Sequence, residues 1–141
     1  MLVGLDKEIS EILEMTNHEL KLFQKKIDTP DEKITEQFVG DIISNLQRRE
    51  HALKHRLYQA LTQNKEYHIP EDWTARILKQ IEVMLADTTT KAKVEMLASH
   101  QAAFWGVLQD IKEVLIKPTE VALRVLKVDA MDDRDDRGAG G

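Results

Sequence analysis

Residues 31–65 read DEKITEQFVGDIISNLQRREHALKHRLYQALTQNK. Ile34, Phe38, Ile42, Leu46, Leu53, Leu57 and Leu61 recur in it at helical spacing, with polar side chains between them. Side chains three, four and seven residues apart share one face of a helix, so this stretch predicts an amphipathic α-helix from about Asp31 to Lys65. At 1.5 Å per residue it would be roughly 50 Å long. Such a length implies either a break near Gly40 or a projecting helix that needs a partner, and one continuous helix is the expectation. Thr29 with Glu32 three residues on suits a capping box, with Pro30 in the first turn.

Upstream, Leu5, Ile9, Ile12, Thr16, Leu20, Phe23 and Ile27 step by three and four, predicting a first helix from about Leu5 to Ile27. Downstream, Asn64 to Ile69 is a polar connection, and Pro70, Glu71 and Asp72 open a third helix whose buried face is Trp73, Ile77, Ile81, Met84 and Leu85. Asp87 to Thr90 fits either a break or a polar turn within a longer helix. From Lys91, the positions Val94, Leu97, Gln101, Phe104, Leu108, Ile111 and Leu115 form an unbroken heptad. Beyond Phe104 the apolar face widens, because Trp105, Val107, Val114 and Ile116 join it, so this end should contact more than one neighbour. Pro118 interrupts. Thr119 to Val128 reads as a short helix, with a strand left open by Val121, Val125 and Val128. Another subunit is a natural place to bury it.

The expected architecture is all-α, with long antiparallel helices in an elongated bundle that oligomerises through its C-terminal helices. Phe104, Trp105, Leu108, Ile111, Leu115, Val121 and Val125 are the expected interface. Residues 1–128 form one helical domain, and 129–141 an acidic, Gly-ended, disordered tail.

Composition narrows the function. The chain has 141 residues, no cysteine and a formal charge of −5, which excludes thiol catalysis, a disulfide scaffold and a zinc ribbon. The N-terminus lacks a basic region followed by an apolar run, and no stretch reaches the roughly 18 apolar residues of a membrane span. A cytoplasmic protein is expected, in the host cytoplasm if the chain is phage-encoded. No Gly-rich phosphate loop, Gly-x-Ser-x-Gly, His-Glu-x-x-His or Glu-x-x-His is present. His51 and His55, four apart on one helix face, lack an identifiable third metal ligand and read as solvated. The expectation is a binding protein rather than an enzyme, with no metal or nucleotide cofactor.

The chemistry that stands out is basic. Within Gln47 to Arg56, Arg48, Arg49, Lys54 and Arg56 outnumber the single acid Glu50 in an otherwise acidic chain. Arg49 and Arg56 lie two turns apart on one edge of the apolar stripe, Arg48 and His55 extend that edge, and Lys54 flanks the other side. This spacing can meet successive phosphates of a single strand. The competing account is that these are ordinary helix residues paired to acids on neighbouring turns or chains.

Two segments carry a family likeness. Ala52-Leu53-Lys54-His55-Arg56-Leu57 resembles the Ala-Leu-Lys-x-Arg-Leu segment of the UvsY family, the recombination mediators of T-even-type phages. Trp105-Gly106-Val107-Leu108-Gln109-Asp110-Ile111 is similar to that family's Trp-Gly-Ile-Leu-x-Asp-aromatic run, in the same order but across a somewhat longer interval. Val121-Ala122-Leu123-Arg124 is a looser match to a Phe-x-Ile-Lys element. The resemblance implies a helical, ring-forming oligomer that binds single-stranded DNA and helps a RecA-like recombinase displace the single-strand binding protein. It implies that Lys54 and Arg56 contact phosphates, supported by Arg48 and Arg49. The alternative is a coiled-coil adaptor or chaperone that holds a protein partner on the same apolar helices, without DNA.

Overall fold

A computed structural model describes residues 2–62, 69, 71–86, 90–117, 120, 121 and 124, with the side chains of all of these but 2–5, 61, 86 and 90. The chain is all-α, and there is no strand among the described residues. Helices α1 (Leu2–Asp28), α2 (Glu36–Thr62), α3 (Glu71–Ala86), α4 (Thr90–Glu95) and α5 (Ala98–Ile116) follow in order. The four longer helices close a ring of contacts in which α1 touches α2 and α3, and α5 touches the same two. Helices α1 and α2 run antiparallel, since Glu8 meets Arg56, Glu19 meets Asn45 and Lys26 lies over Phe38.

Each helix buries one stripe. On α1 it is Ile9, Leu13, Thr16, Leu20, Phe23 and Ile27; Leu13 rather than Ile12 reaches the interior. The Thr16 hydroxyl donates to the Ile12 carbonyl at 2.8 Å, so a polar residue enters the core satisfied. Phe23 stacks on Phe38 at 6.4 Å and meets Phe104 at 4.2 Å, tying α1, α2 and α5 together. From α3, Ile77, Ile81 and Met84 complete the same core, with Trp73, Leu78 and Leu85 at its margin.

The second helix starts later than its periodicity predicts. Asp31 to Thr35 are not helical, and α2 begins at Glu36, capped by Thr35, whose Oγ1 accepts from the Phe38 N–H at 3.2 Å. The capping box at Thr29 and Glu32 does not form. Thr29 instead turns back to close α1, its hydroxyl donating to the Lys25 carbonyl at 2.8 Å. Helix α4 explains the displacement. Lys91 donates to the carbonyls of Lys26 and Thr29, and Glu95 accepts the Ile34 N–H at 2.6 Å. Ile34 is thereby drawn into the core as part of the connection, not of the helix. There is no break at Gly40, which lies within α2. Of the predicted end, Gln63 to Lys65 lie outside the described residues.

The heptad from Val94 is also interrupted. Met96 bends, Leu97 is extended at φ −61 and ψ 147, and α5 starts afresh at Ala98. Val94 and Leu97, expected on the buried seam, are 77% and 47% exposed. Gln101 occupies its seam position for a different reason, since its amide donates to the carbonyls of Lys93 and Met96 at 2.9 Å each and closes the end of α4.

Most of the residues expected at a subunit interface have packing partners within the chain itself. Phe104, Leu108, Ile111, Leu115 and Val121 are buried within the single chain as part of its core; α5 packs against α2 and α3, and Phe104 also meets Phe23 of α1. Trp105 is half-buried and meets Phe104 edge to face at 4.9 Å. Val125, most of the Thr119–Val128 segment and the 129–141 tail lie outside the described residues.

Candidate nucleic-acid interface

Between Leu46 and Leu53 the buried stripe of α2 has a gap. The positions that should fill it, three and four residues past Leu46, are Arg49 and Glu50, both only partly exposed. A charged pair in core register loses hydration, which costs stability unless each group finds partners. The two find them unequally.

Glu50 is the better served. Its Oε1 accepts from Lys54 Nζ at 2.7 Å across one helical turn, with 14% of the Glu50 side chain and 34% of the Lys54 side chain exposed. Asp110 of α5 bears on the same carboxyl by hydrogen bonding and by charge. Burial raises the Glu50 carboxyl above its ordinary 4.5; Asp110 raises it further, and Lys54 offsets part of the rise. The part-buried Glu50–Lys54 pair of α2 therefore has a second carboxyl, that of the exposed Asp110 of α5, acting on it.

Arg49 and Arg56 point to the opposite side of α2, towards α1. Arg56 Nε pairs with Glu8 at 2.8 Å, and its Nη1 donates to Gln59 at 2.6 Å. Arg49 lines a shallow groove with Glu11, Glu14, Met15, His18 and Glu19, and its Nε is buried without a hydrogen-bond partner. Next to it, Glu8, Glu11, Ile12, Met15, His51, Ala52, His55 and Arg56 line a second groove along the same helix pair. Arg48 is exposed.

The four basic residues thus do not form one stripe. Arg49 and Arg56 share the α1 edge as their spacing predicts, Lys54 faces α5, and Arg48 stands free of both edges. Acids of α1 lie beside Arg56 and Arg49, which spacing along α2 could not reveal. Lys54 instead pairs with Glu50 one turn back on its own helix, as the account of basic residues paired to acids on neighbouring turns expects. His51 and His55 are exposed with ring centroids 6.5 Å apart, and no cluster of three metal-ligating side chains occurs among the described residues. Trp73 and Trp105 are half-buried and Phe104 fully buried, so packing accounts for all three.

Sequence reasoning missed Glu8, Glu50 and Asp110 as members of this site. The seven-residue gap in the α2 stripe was a legible sign for Glu50, whereas nothing local marks Glu8 or Asp110. The helix packing also brings the two segments with the family likeness together, since Lys54 of the first pairs with Glu50, on which Asp110 of the second bears. Compared with protein-family models, with curated protein sequences and with solved structures, the chain matches none.

Proposed function

We propose that this protein binds single-stranded DNA and acts as a recombination mediator, loading a RecA-like recombinase where a single-strand binding protein must be displaced. The observation that carries the reading is the convergence of its two motif segments. The Lys of Ala-Leu-Lys-x-Arg-Leu and the Asp of Trp-Gly-x-Leu-x-Asp lie more than fifty residues apart in sequence, yet both bear on Glu50. The apolar members of the motifs, Leu53 and Leu57 on α2 with Val107, Leu108 and Ile111 on α5, are core residues. The polar members are left at the surface between the helices. Such a division of labour suits a binding element held on a rigid frame.

Lys54 and Arg56 lead the proposed contact with phosphates, Arg48 adds an exposed surface charge, and Arg49 supports from the groove. Ion pairs as exposed as Arg56–Glu8 contribute about 1 kcal/mol or less, so a phosphate can replace the carboxylate. Capture by one chain is weak in this scheme, and assembly into a ring would multiply it by avidity. The ring, its elongated bundle and its cytoplasmic setting belong to this proposal, as do the recombinase and the single-strand binding protein as partners. No metal, nucleotide or catalytic step is required. No helix of the described residues is long and apolar enough to cross a membrane.

The test is fluorescence anisotropy of a labelled single-stranded oligonucleotide at low and moderate salt, with the Lys54→Ala/Arg56→Ala double variant alongside. Salt-sensitive binding that the variant loses, with its helicity unchanged, is the expected result. No binding at low salt would overturn the reading and turn attention to a protein partner.

A further inference from the structure

We propose that Glu50 and Asp110 are positioning residues of the strand-binding site, and that capture of a phosphate by Lys54 is coupled to protonation of Glu50. This rests on the DNA-binding reading of Lys54.

The geometry sets the coupling. Lys54 Nζ sits 2.7 Å from Glu50 Oε1, and Glu50 occupies a core-register position on α2 with little of its side chain in water. The charged groups that bear on it are Lys54 from its own helix and Asp110 from α5. With Lys54 in place, its cation offsets the Glu50 carboxylate, on which the Asp110 carboxyl also acts. When Lys54 turns to a phosphate it can no longer neutralise Glu50 to the same degree, and Glu50 and Asp110 are left as like charges in hydrogen-bonding reach. Water cannot fully solvate Glu50 there. A single proton on its carboxyl removes one of the two charges and supplies the donor for a hydrogen bond to Asp110. The proton comes from the buffer, and no other bond changes. Burial, with Asp110 adding to it, already holds this carboxyl above its ordinary range, in the direction that favours the step.

Arg56 offers a contrast. Its partner Glu8 is 46% exposed, so on release it returns to water as a carboxylate and needs no proton. The two basic side chains of one motif therefore exchange their counter-charges differently. Because a loosened Lys54 raises the proton affinity of Glu50, protonating Glu50 must in turn free Lys54 for phosphate, and strand affinity rises on mild acidification.

Isothermal titration calorimetry of the full chain with a single-stranded oligonucleotide tests this. Titrations at about pH 6 in two buffers of different ionisation enthalpy give the protons taken up per site. His51 and His55 lie beside Arg56 and can add uptake of their own, so the decisive quantity is the difference between wild type and Glu50→Gln. The expected result is greater proton uptake by wild type than by Glu50→Gln, with Asp110→Asn intermediate. Equal uptake in wild type and Glu50→Gln, with binding intact, would overturn the coupling and leave the DNA reading standing. Absence of binding by wild type at low salt would overturn both. The Asp110→Asn variant leaves Glu50 in place, so the test survives if Glu50→Gln fails to fold.

Discussion

Glu50 makes the sharpest demand at the scale of single residues. Its folded carboxyl sits above the ordinary value of 4.5, so its contribution to stability is fully present below that value and is lost as pH rises through the folded one. Urea unfolding midpoints from about pH 4.5 to 7 should therefore fall with rising pH in wild type more than in Glu50→Gln, which has no proton to lose. Arg49 bears the opposite kind of burden, an unpartnered buried Nε in a groove rimmed by acids. Arg49→Met keeps the aliphatic stem and removes the unmet donor, so its stability should stay within about 1 kcal/mol of wild type. Glu8→Gln frees Arg56 and should tighten strand binding several-fold at low salt. Asp41→Asn removes the same charge from α2 about 20 Å along the helix, beyond the Debye length, and should change affinity far less. Equal effects of the two in the anisotropy assay would mean that Glu8 acts only through net charge.

Helix α4 shows how an element of six residues redirects one of 27. Its Lys91 and Glu95, one turn apart, supply a cation to the carbonyl end of α1 and an acceptor to the N–H of Ile34. Both are groups that helix ends and turns leave unsatisfied. Thr35→Ala removes the cap that α2 uses and should cost about 1 kcal/mol, whereas Thr29→Ala should leave the start of α2 where it is. Thermal melts of the two variants, read by circular dichroism, distinguish this arrangement from a capping box at Thr29 and Glu32. The Asn45 amide adds a lateral tie, donating to Glu19 at 3.1 Å and holding the α1–α2 pair in register.

For the molecule as a whole, the aromatic contact of Phe23 with Phe38 and Phe104 joins three helices at one point. Phe104→Ala should destabilise the fold by about 3–5 kcal/mol, as core truncations of this size do. That penalty belongs to the chain's own core. If Phe104 served a subunit interface instead, the loss would appear as a smaller assembly by light scattering, with the thermal midpoint of the protomer preserved.

Helical content, the identity of most core residues and the polar exterior were legible in the sequence, because a 3.6-residue period depends only on local backbone geometry. Thr16 was placed on the α1 stripe by that period and is buried there. The basic side chains of α2 were legible too, and so was the division between Lys54 on one side and Arg49 with Arg56 on the other. Of their counter-charges only Glu50, one turn from Lys54, was legible; Glu8 reaches Arg56, and Asp110 reaches Glu50, only through packing of α1 and α5 against α2. The same limit applied to the start of α2 and to the heptad from Val94, where Lys91, Glu95 and Gln101 satisfy backbone groups distant in sequence or across a bend. The wide apolar face of α5 pointed correctly to several neighbours, but only the tertiary structure could assign them. Periodicity reports how much surface must be buried, whereas the partner that buries it depends on how the helices return in space.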